Sequence, residues 1–181
     1  MKQLGLDPAR LIFIDETWAK TNMTRLRGRC RRGQRLIAKV PHGHWKTTTL
    51  IAALDQQGMR CSMTVDGAVN RAVFEAFVEK ILLPTLKVGD IVVMDNLSSH
   101  KGLHVRQRIE STGACVVFLP AYSPDLNPIE LAFAKFKQLL RSAEHRDVHS
   151  LWNDTQRMLD LISPTDSANF FHHCGYGLHQ K

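Results

Sequence analysis

The chain predicts an α/β fold, a mixed sheet with flanking helices, and three observations carry that expectation. Residues 11–15 (LIFID) and 91–95 (IVVMD) are continuous apolar runs closed by an aspartate, the pattern of central strands covered on both faces. Between them the β-rich segments HWKTTTLIAAL and MRCSMTV flank Asp55-Gln56-Gln57-Gly58, a short turn that reads as an antiparallel hairpin. Beyond the hairpin, helical and strand-like stretches alternate, so parallel and antiparallel neighbours are expected in one sheet.

In chain order, the strand at 11–15 and the hairpin come first. Asn70 is placed to cap a helix in which Val73, Phe74, Phe77, Val78 and Ile81 recur at helical spacing until Pro84 stops it. The second central strand follows at 91–95. Ser98 or Ser99 can cap the next helix, which runs to about Ile109 with Gly113 past its end, and CVVFLP supplies a further short buried strand. The turn-rich YSPDLNP leads into PIELAFAKFKQLLR. There Ile129, Ala132, Phe133, Phe136 and Leu140 form a core stripe, while Glu130, Ala134, Lys137 and Arg141 fall on another side. Val148, Leu151, Trp152, Thr155, Leu159 and Ile162 mark an amphipathic helix over 148–162, broken at Ser163-Pro164. The tail from Asp166 is ambiguous.

At 181 residues the chain has room for one ordinary core and not for two. It shows no internal repeat and no Gly/Ser linker, so one domain is expected over 1–181, with 147–181 as a C-terminal helical extension. No stretch approaches the roughly 20 apolar residues that cross a bilayer, and MKQLGLDPAR lacks the apolar core of a signal peptide. The expectation is a cytoplasmic protein with no membrane partner. The four cysteines are far apart and form no CxxC pair, which suggests neither a zinc ribbon nor a disulfide framework.

The net charge of +7 is uneven. Residues 17–54 hold nine Lys or Arg and no acid: Lys20, Arg25, Arg27, Arg29, Arg31, Arg32, Arg35, Lys39 and Lys46. A polyanion, nucleic acid foremost, would meet the chain here. A solvated basic hairpin is the plainer reading of the same run.

Asp15, Asp95 and Glu130 form the chemically informative set. The first two close strands and the third opens a helix, so the aspartates share the carboxyl edge of the sheet, where open α/β sheets place ligands. Phosphodiester cleavage needs an activated nucleophile and neutralised charge on phosphorus, which two divalent ions about 3.5–4 Å apart supply. An all-carboxylate set favours hard cations, Mg2+ or Mn2+. In this arrangement Asp15 bridges two ions, and Asp95 and Glu130 each hold one side. Each acid also has a structural reading: Asn127, Pro128 and Glu130 resemble a capping box, Asp95 a turn residue, and Asp15 a strand-end partner for an arginine.

Secondary candidates surround the set. Lys137 and Arg141 can contact phosphates along the Glu130 face, and His100, five residues after Asp95, can touch a phosphate or position a water. Exposed helix charges and a helix-surface histidine are the alternatives. Glu16 points to the other face of its strand, His42 and His44 accompany the basic run, and His172, His173, Cys174 and His179 lack the second ligand pair of a zinc site.

FIDET around Asp15, RRGQR followed by GHWKTTTLIAAL, VMDNLSSHK around Asp95 and FLPAYSPDLNPIELAFAKFK around Glu130 occur in order through most of the chain. In these motifs the chain resembles the DDE superfamily endonucleases, specifically bacterial insertion-sequence transposases of the mariner superfamily. The resemblance implies a ribonuclease H-like fold. It also implies that Asp15, Asp95 and Glu130 bind the metal, cut double-stranded DNA at transposon ends and join the freed 3′ hydroxyl to a target.

Two departures stand out. Phe133 and Phe136 occupy a region where many relatives carry tryptophan. Relatives also carry helix-turn-helix modules ahead of the catalytic domain, whereas only some ten residues precede the first strand here, so end recognition is expected to be absent from this chain. A homo-oligomer or a separately encoded helix-turn-helix half are the expected protein partners. The rival expectation is a catalytically silent DNA-binding or regulatory fragment of a transposase.

Overall fold

The structure, a computed structural model, describes residues 6–95 and 103–177. Among these residues one sheet forms from β1 (Leu11–Lys20), β2 (Thr47–Asp55), β3 (Gly58–Asp66), β4 (Ile91–Met94) and β5 (Cys115–Phe118), in the order β3-β2-β1-β4-β5. The β1–β2 and β2–β3 pairs are antiparallel, and β1–β4 and β4–β5 are parallel. The helices are α1 (Arg71–Phe77), α2 (Leu103–Glu110), α3 (Pro128–Ala143), α4 (Val148–Leu159) and α5 (Pro164–His173). No helix among the described residues is long and apolar enough to cross a membrane.

Local chemistry accounts for the main boundaries. The hairpin closes with Asp55 paired to Gly58 around Gln56-Gln57. Gly58 sits at φ 121°, and a β-carbon there would lie 2.9 Å from the Ile162 carbonyl, so the turn accepts only glycine without rearrangement. Asn70 caps α1 by accepting the Val73 N–H, and the helix then widens to a π turn over Val78–Leu82 before the short 3-10 turn that contains Pro84. The helices at 71–82 and 103–110, the hairpin and the two central strands thus lie where the residue pattern puts them; the Ser98/Ser99 cap falls outside the described residues.

Alternation along the strands splits the core into two layers. Leu11, Phe13, Leu50, Ala52, Leu54, Ile91 and Val93 face α3, α4 and α5, whereas Ile12, Ile14, Ile51, Ala53, Val92 and Met94 face α1 and α2. Burial on both faces explains the unbroken apolar runs. Phe13 carries the first layer into the C-terminal region: its ring meets Phe171 edge-on at 5.3 Å and Tyr176 at 5.0 Å.

Four expectations are corrected. The first strand does not end at Asp15 but continues to Lys20, because β2 goes on pairing with it after β4 has stopped. CVVF is an edge strand with Cys115 exposed and Val117 36% exposed, since among the described residues one of its sides lacks a neighbouring strand. The helix of 148–162 ends at Leu159, and buried Ile162 comes from the turn beyond it. The ambiguous tail contains α5, started by a capping box in which Ser163 accepts the Asp166 N–H and Asp166 accepts the Ser163 N–H.

Candidate active site

The strand register brings the two aspartates together. β1 and β4 pair in parallel as far as Ile14↔Met94, and the next residue on each strand is Asp15 and Asp95. Here β1 loses its partner on that side while retaining β2, Asp15 standing opposite Ala52. A notch opens at the point where the sheet forks. Asp15 continues the Leu11, Phe13 face, towards α3, and is only 9% exposed. The loop after β5 delivers α3, whose first turn carries Glu130. Asp15, Asp95, Asn127 and Glu130, with Leu119–Pro124, line one cleft of about 380 Å³.

Asp15 is the electrostatic centre of the cleft. Burial pushes its carboxyl up to about 7, the negative charges of Glu130, Asp95 and Glu16 push the same way, and the Glu16 N–H, donating to Oδ1 at 2.8 Å, opposes them. The proton affinity of Asp15 thus registers the nearby charge of both other acids. Such a concentration of like charge on a half-enclosed carboxyl is what a divalent cation neutralises, and the all-oxygen set suits Mg2+ or Mn2+. Among the described residues, no three or more His, Cys, Asp or Glu close around a single point that could hold an ion. The carboxylates form an open set.

The capping-box reading of Asn127 and Glu130 does not hold. Asn127 occupies the N-cap position of α3 but makes no side-chain cap bond. Its Nδ2 donates instead to Oδ2 of Asp15 at 2.8 Å, a buried bond, while its Oδ1 is buried without a partner among the described residues. The helix forgoes an interaction typically worth about 1 kcal/mol, and the amide serves the carboxylate. The cap-like sequence Asn-Pro-x-Glu concealed this contact. Tyr122, fully exposed at the rim of the cleft, holds the left-handed backbone (φ 56°) that a bulky side chain rarely adopts.

The Glu130 face of α3 leads away from the cleft into positive charge. Lys137 lies with its ammonium 4.6 Å from the Trp18 ring centroid, and Lys20 lies 4.8 Å from the same ring. Burial lowers the proton affinity of Lys137, Arg141 lowers it further, and Glu130 acts in the opposite sense. One turn on, Arg141 shares a second cleft, of about 440 Å³, with Arg25, Arg27, Leu26, Ala134, Gln138 and Ser142. Ala134, on the Glu130 side of the helix, lines this cleft and not the one at Glu130.

Tertiary bonds pin the basic segment to this face. Backbone and side-chain bonds between Thr21 and Lys46 pinch its base, Arg146 donates to the Met23 carbonyl at 2.9 Å, and Thr24 donates to Glu144 at 3.0 Å. Arg25 and Arg27 are thereby laid against α3, whereas Arg29, Arg31, Arg32 and Lys46 stay exposed outside both clefts. His100 lies outside the described residues. His172 and His173 are exposed on α5, and Cys174 is buried. Trp18 went unassigned in the sequence; its signal was the Trp18-x-Lys20 spacing, which puts ring and ammonium on one strand face.

Comparison with known proteins bears on this geometry. The family described as DDE superfamily endonuclease matches residues 10–152. No curated protein matches the chain. Among solved structures, the Mos1 transposase paired-end complex with left transposon end superimposes with a TM-score of 0.74 at 23% identity, over 92% of this chain and 52% of that one. The mariner Mos1 paired-end complex with Mg gives the same values. The catalytic domain of Mos1 mariner transposase alone gives a TM-score of 0.63 at 22% identity, over 92% of this chain and 78% of that one. At such identities the likeness establishes the fold: the mixed sheet with flanking helices is ribonuclease H-like. The chain spans about half the length of the Mos1 chains in the paired-end complexes.

Proposed function

The chain belongs to the DDE superfamily endonucleases, and we propose that it is a transposase catalytic domain whose Asp15, Asp95 and Glu130 cut DNA and transfer the cut strand. One observation carries the reading: three acids from β1, from the end of β4 and from the start of α3 line a single cleft, and the two others raise the proton affinity of the most buried one. Asp15, Asp95 and Glu130, which line the cleft together, would hold two Mg2+ or Mn2+ ions. When bound, the ions activate the attacking oxygen and neutralise charge on the scissile phosphate.

The residues around the carboxylates supply the remaining needs of phosphoryl transfer, which is largely positioning and charge stabilisation. Glu130 is exposed in the first turn of α3 and so reaches the cleft from the solvent side, opposite the buried Asp15. Lys137, held over Trp18, and Arg141, Arg25 and Arg27 in the second cleft offer cations to the DNA backbone along the same helix face. Double-stranded DNA, as transposon end and as target, is the proposed substrate. The Mos1 structures determined with transposon-end DNA and with Mg or Mn support that choice. A second copy of the chain would serve the second transposon end, and a helix-turn-helix half would supply the choice of sequence.

Nicking of supercoiled plasmid with Mg2+, the chain being supplied with a DNA-binding half where needed, tests the reading. Wild type is expected to nick and Asp95→Ala to lose at least 100-fold in rate. Unchanged nicking by Asp95→Ala would remove the catalytic assignment, and salt-sensitive DNA retention without any nicking by wild type would favour the silent regulatory fragment.

A further inference from the structure

We infer that Asn127 is a positioning residue for the ion site: its Nδ2 locks the Asp15 carboxylate, and its Oδ1 receives a hydrogen bond from a water bound to a divalent cation in the cleft. The inference rests on the carboxylate reading above and extends it to a neutral residue.

Four observations bear on it. Asn127 is 4% exposed, and it lines the same cleft as the three acids. Its amide reaches a residue 112 positions away, although its own helix offers a capping partner three residues on. The two oxygens of Asp15 then each have a donor, the Glu16 N–H on Oδ1 and the Asn127 amide on Oδ2, which fixes the carboxylate plane while leaving each oxygen a further lone pair. Finally, Oδ1 of Asn127 is a buried acceptor with no partner among the described residues. Buried acceptors are normally satisfied, so this one calls for a donor that arrives with the ligand.

The chemistry selects what that donor is. An amide oxygen only accepts, so a phosphate oxygen or a bare carboxylate cannot satisfy it. Water on a divalent ion is polarised and donates strongly, and Mg2+ in particular keeps several waters when it is held by few carboxylates. An amide also suits the place electrically. Beside three acids, a fourth carboxylate would add repulsion, and a cation would compete with the metal, whereas asparagine offers one donor and one acceptor at no net charge. Residues that orient ligating carboxylates commonly change metal affinity 10–100-fold when removed.

Binding of Mn2+ alone, followed by loss of the free ion's EPR signal, tests the assignment without recourse to catalysis. Asn127→Ala and Asn127→Leu are expected to bind at least tenfold more weakly than wild type. Leu140→Ala, which removes core from the far end of the same helix, is expected to keep wild-type affinity, and thermal unfolding of each variant shows that the comparison is between folded proteins. Wild-type affinity in both Asn127 variants, or a loss no larger than that of Leu140→Ala, would overturn the inference; if Asp15→Asn still abolishes binding, the carboxylate reading survives it. Undiminished Mn2+ binding by Asp15→Asn would instead sink the ion site itself, and the inference with it.

Discussion

Asn127 at the start of α3 donates its side-chain amide to Asp15 on β1 across 2.8 Å, so a helix cap has been redirected to a buried carboxylate. The bond joins the helix that carries Glu130 to the strand that carries Asp15.

The protonation of Asp15 makes stability depend on pH in an unusual direction. Folded Asp15 keeps its proton up to about 7, whereas an unfolded aspartate releases it near 3.9. Between those values the folded chain binds more protons than the unfolded one, so stability falls as pH rises through this window and levels off above it. Each tenfold change in proton affinity corresponds to about 1.4 kcal/mol, which makes the total a few kcal/mol. Thermal unfolding in EDTA from pH 4 to pH 8 should show this decline in wild type and a flatter profile in Asp15→Asn. Added Mg2+ should raise the melting temperature more at pH 8 than at pH 5, because only the ionised carboxyl binds it.

Glu130 is the acid that can be neutralised at least structural cost. It is exposed and contributes negative charge that raises the Asp15 value, so Glu130→Gln should shift the Asp15 titration downwards while leaving the fold intact. Mg2+-dependent nicking should fall by at least 100-fold in the same protein. Wild-type turnover in Glu130→Gln would remove it from the catalytic set.

Lys137 and Arg141 should be visible in the salt dependence of DNA binding. Each phosphate contact contributes about 0.9 to the slope of log K against log salt, so Lys137→Ala and Arg141→Ala should each flatten it by about one. Trp18→Ala should weaken binding as well, because it frees the two ammonium groups that the ring holds at 4.6 and 4.8 Å. Slopes equal to wild type in all three variants would show that DNA does not follow this face.

The C-terminal helix is part of the core beneath the site. Phe171 is fully buried against Phe13, two residues before Asp15 on the same strand face. Phe171→Ala should therefore cost about 3–5 kcal/mol, measurable by urea unfolding. A loss below about 1 kcal/mol would mean that α5 can detach without disturbing β1.

Much of this arrangement is legible in the residues themselves. The runs at 11–14 and 91–94 read as central strands because side chains buried on both faces leave no polar alternation. The stripe of Ile129, Ala132, Phe133, Phe136 and Leu140 reads as a buried helix face for the same kind of reason. The edge position of CVVF was not legible, since a short apolar run looks alike whether one neighbour or two covers it. Nor was the reach of β1 past Asp15, because its further pairing depends on β2, whose first residue, Thr47, lies 27 positions after its partner Lys20.

The sequence by itself determined the kinds of chemistry present: three carboxylates at element ends, a basic run without acids, and strands that must lie inside a sheet. These follow from side-chain type and local periodicity, which act over a few residues. Only the tertiary structure decided how the charges are used. It turned Asn127 from its own helix to Asp15, gathered Arg25, Arg27 and Arg141 around one cleft, and set Lys137 over Trp18. The physical reason is desolvation. A carboxylate becomes worth a buried hydrogen bond, and an ammonium worth an aromatic face, only once packing has removed the water that would otherwise serve each of them.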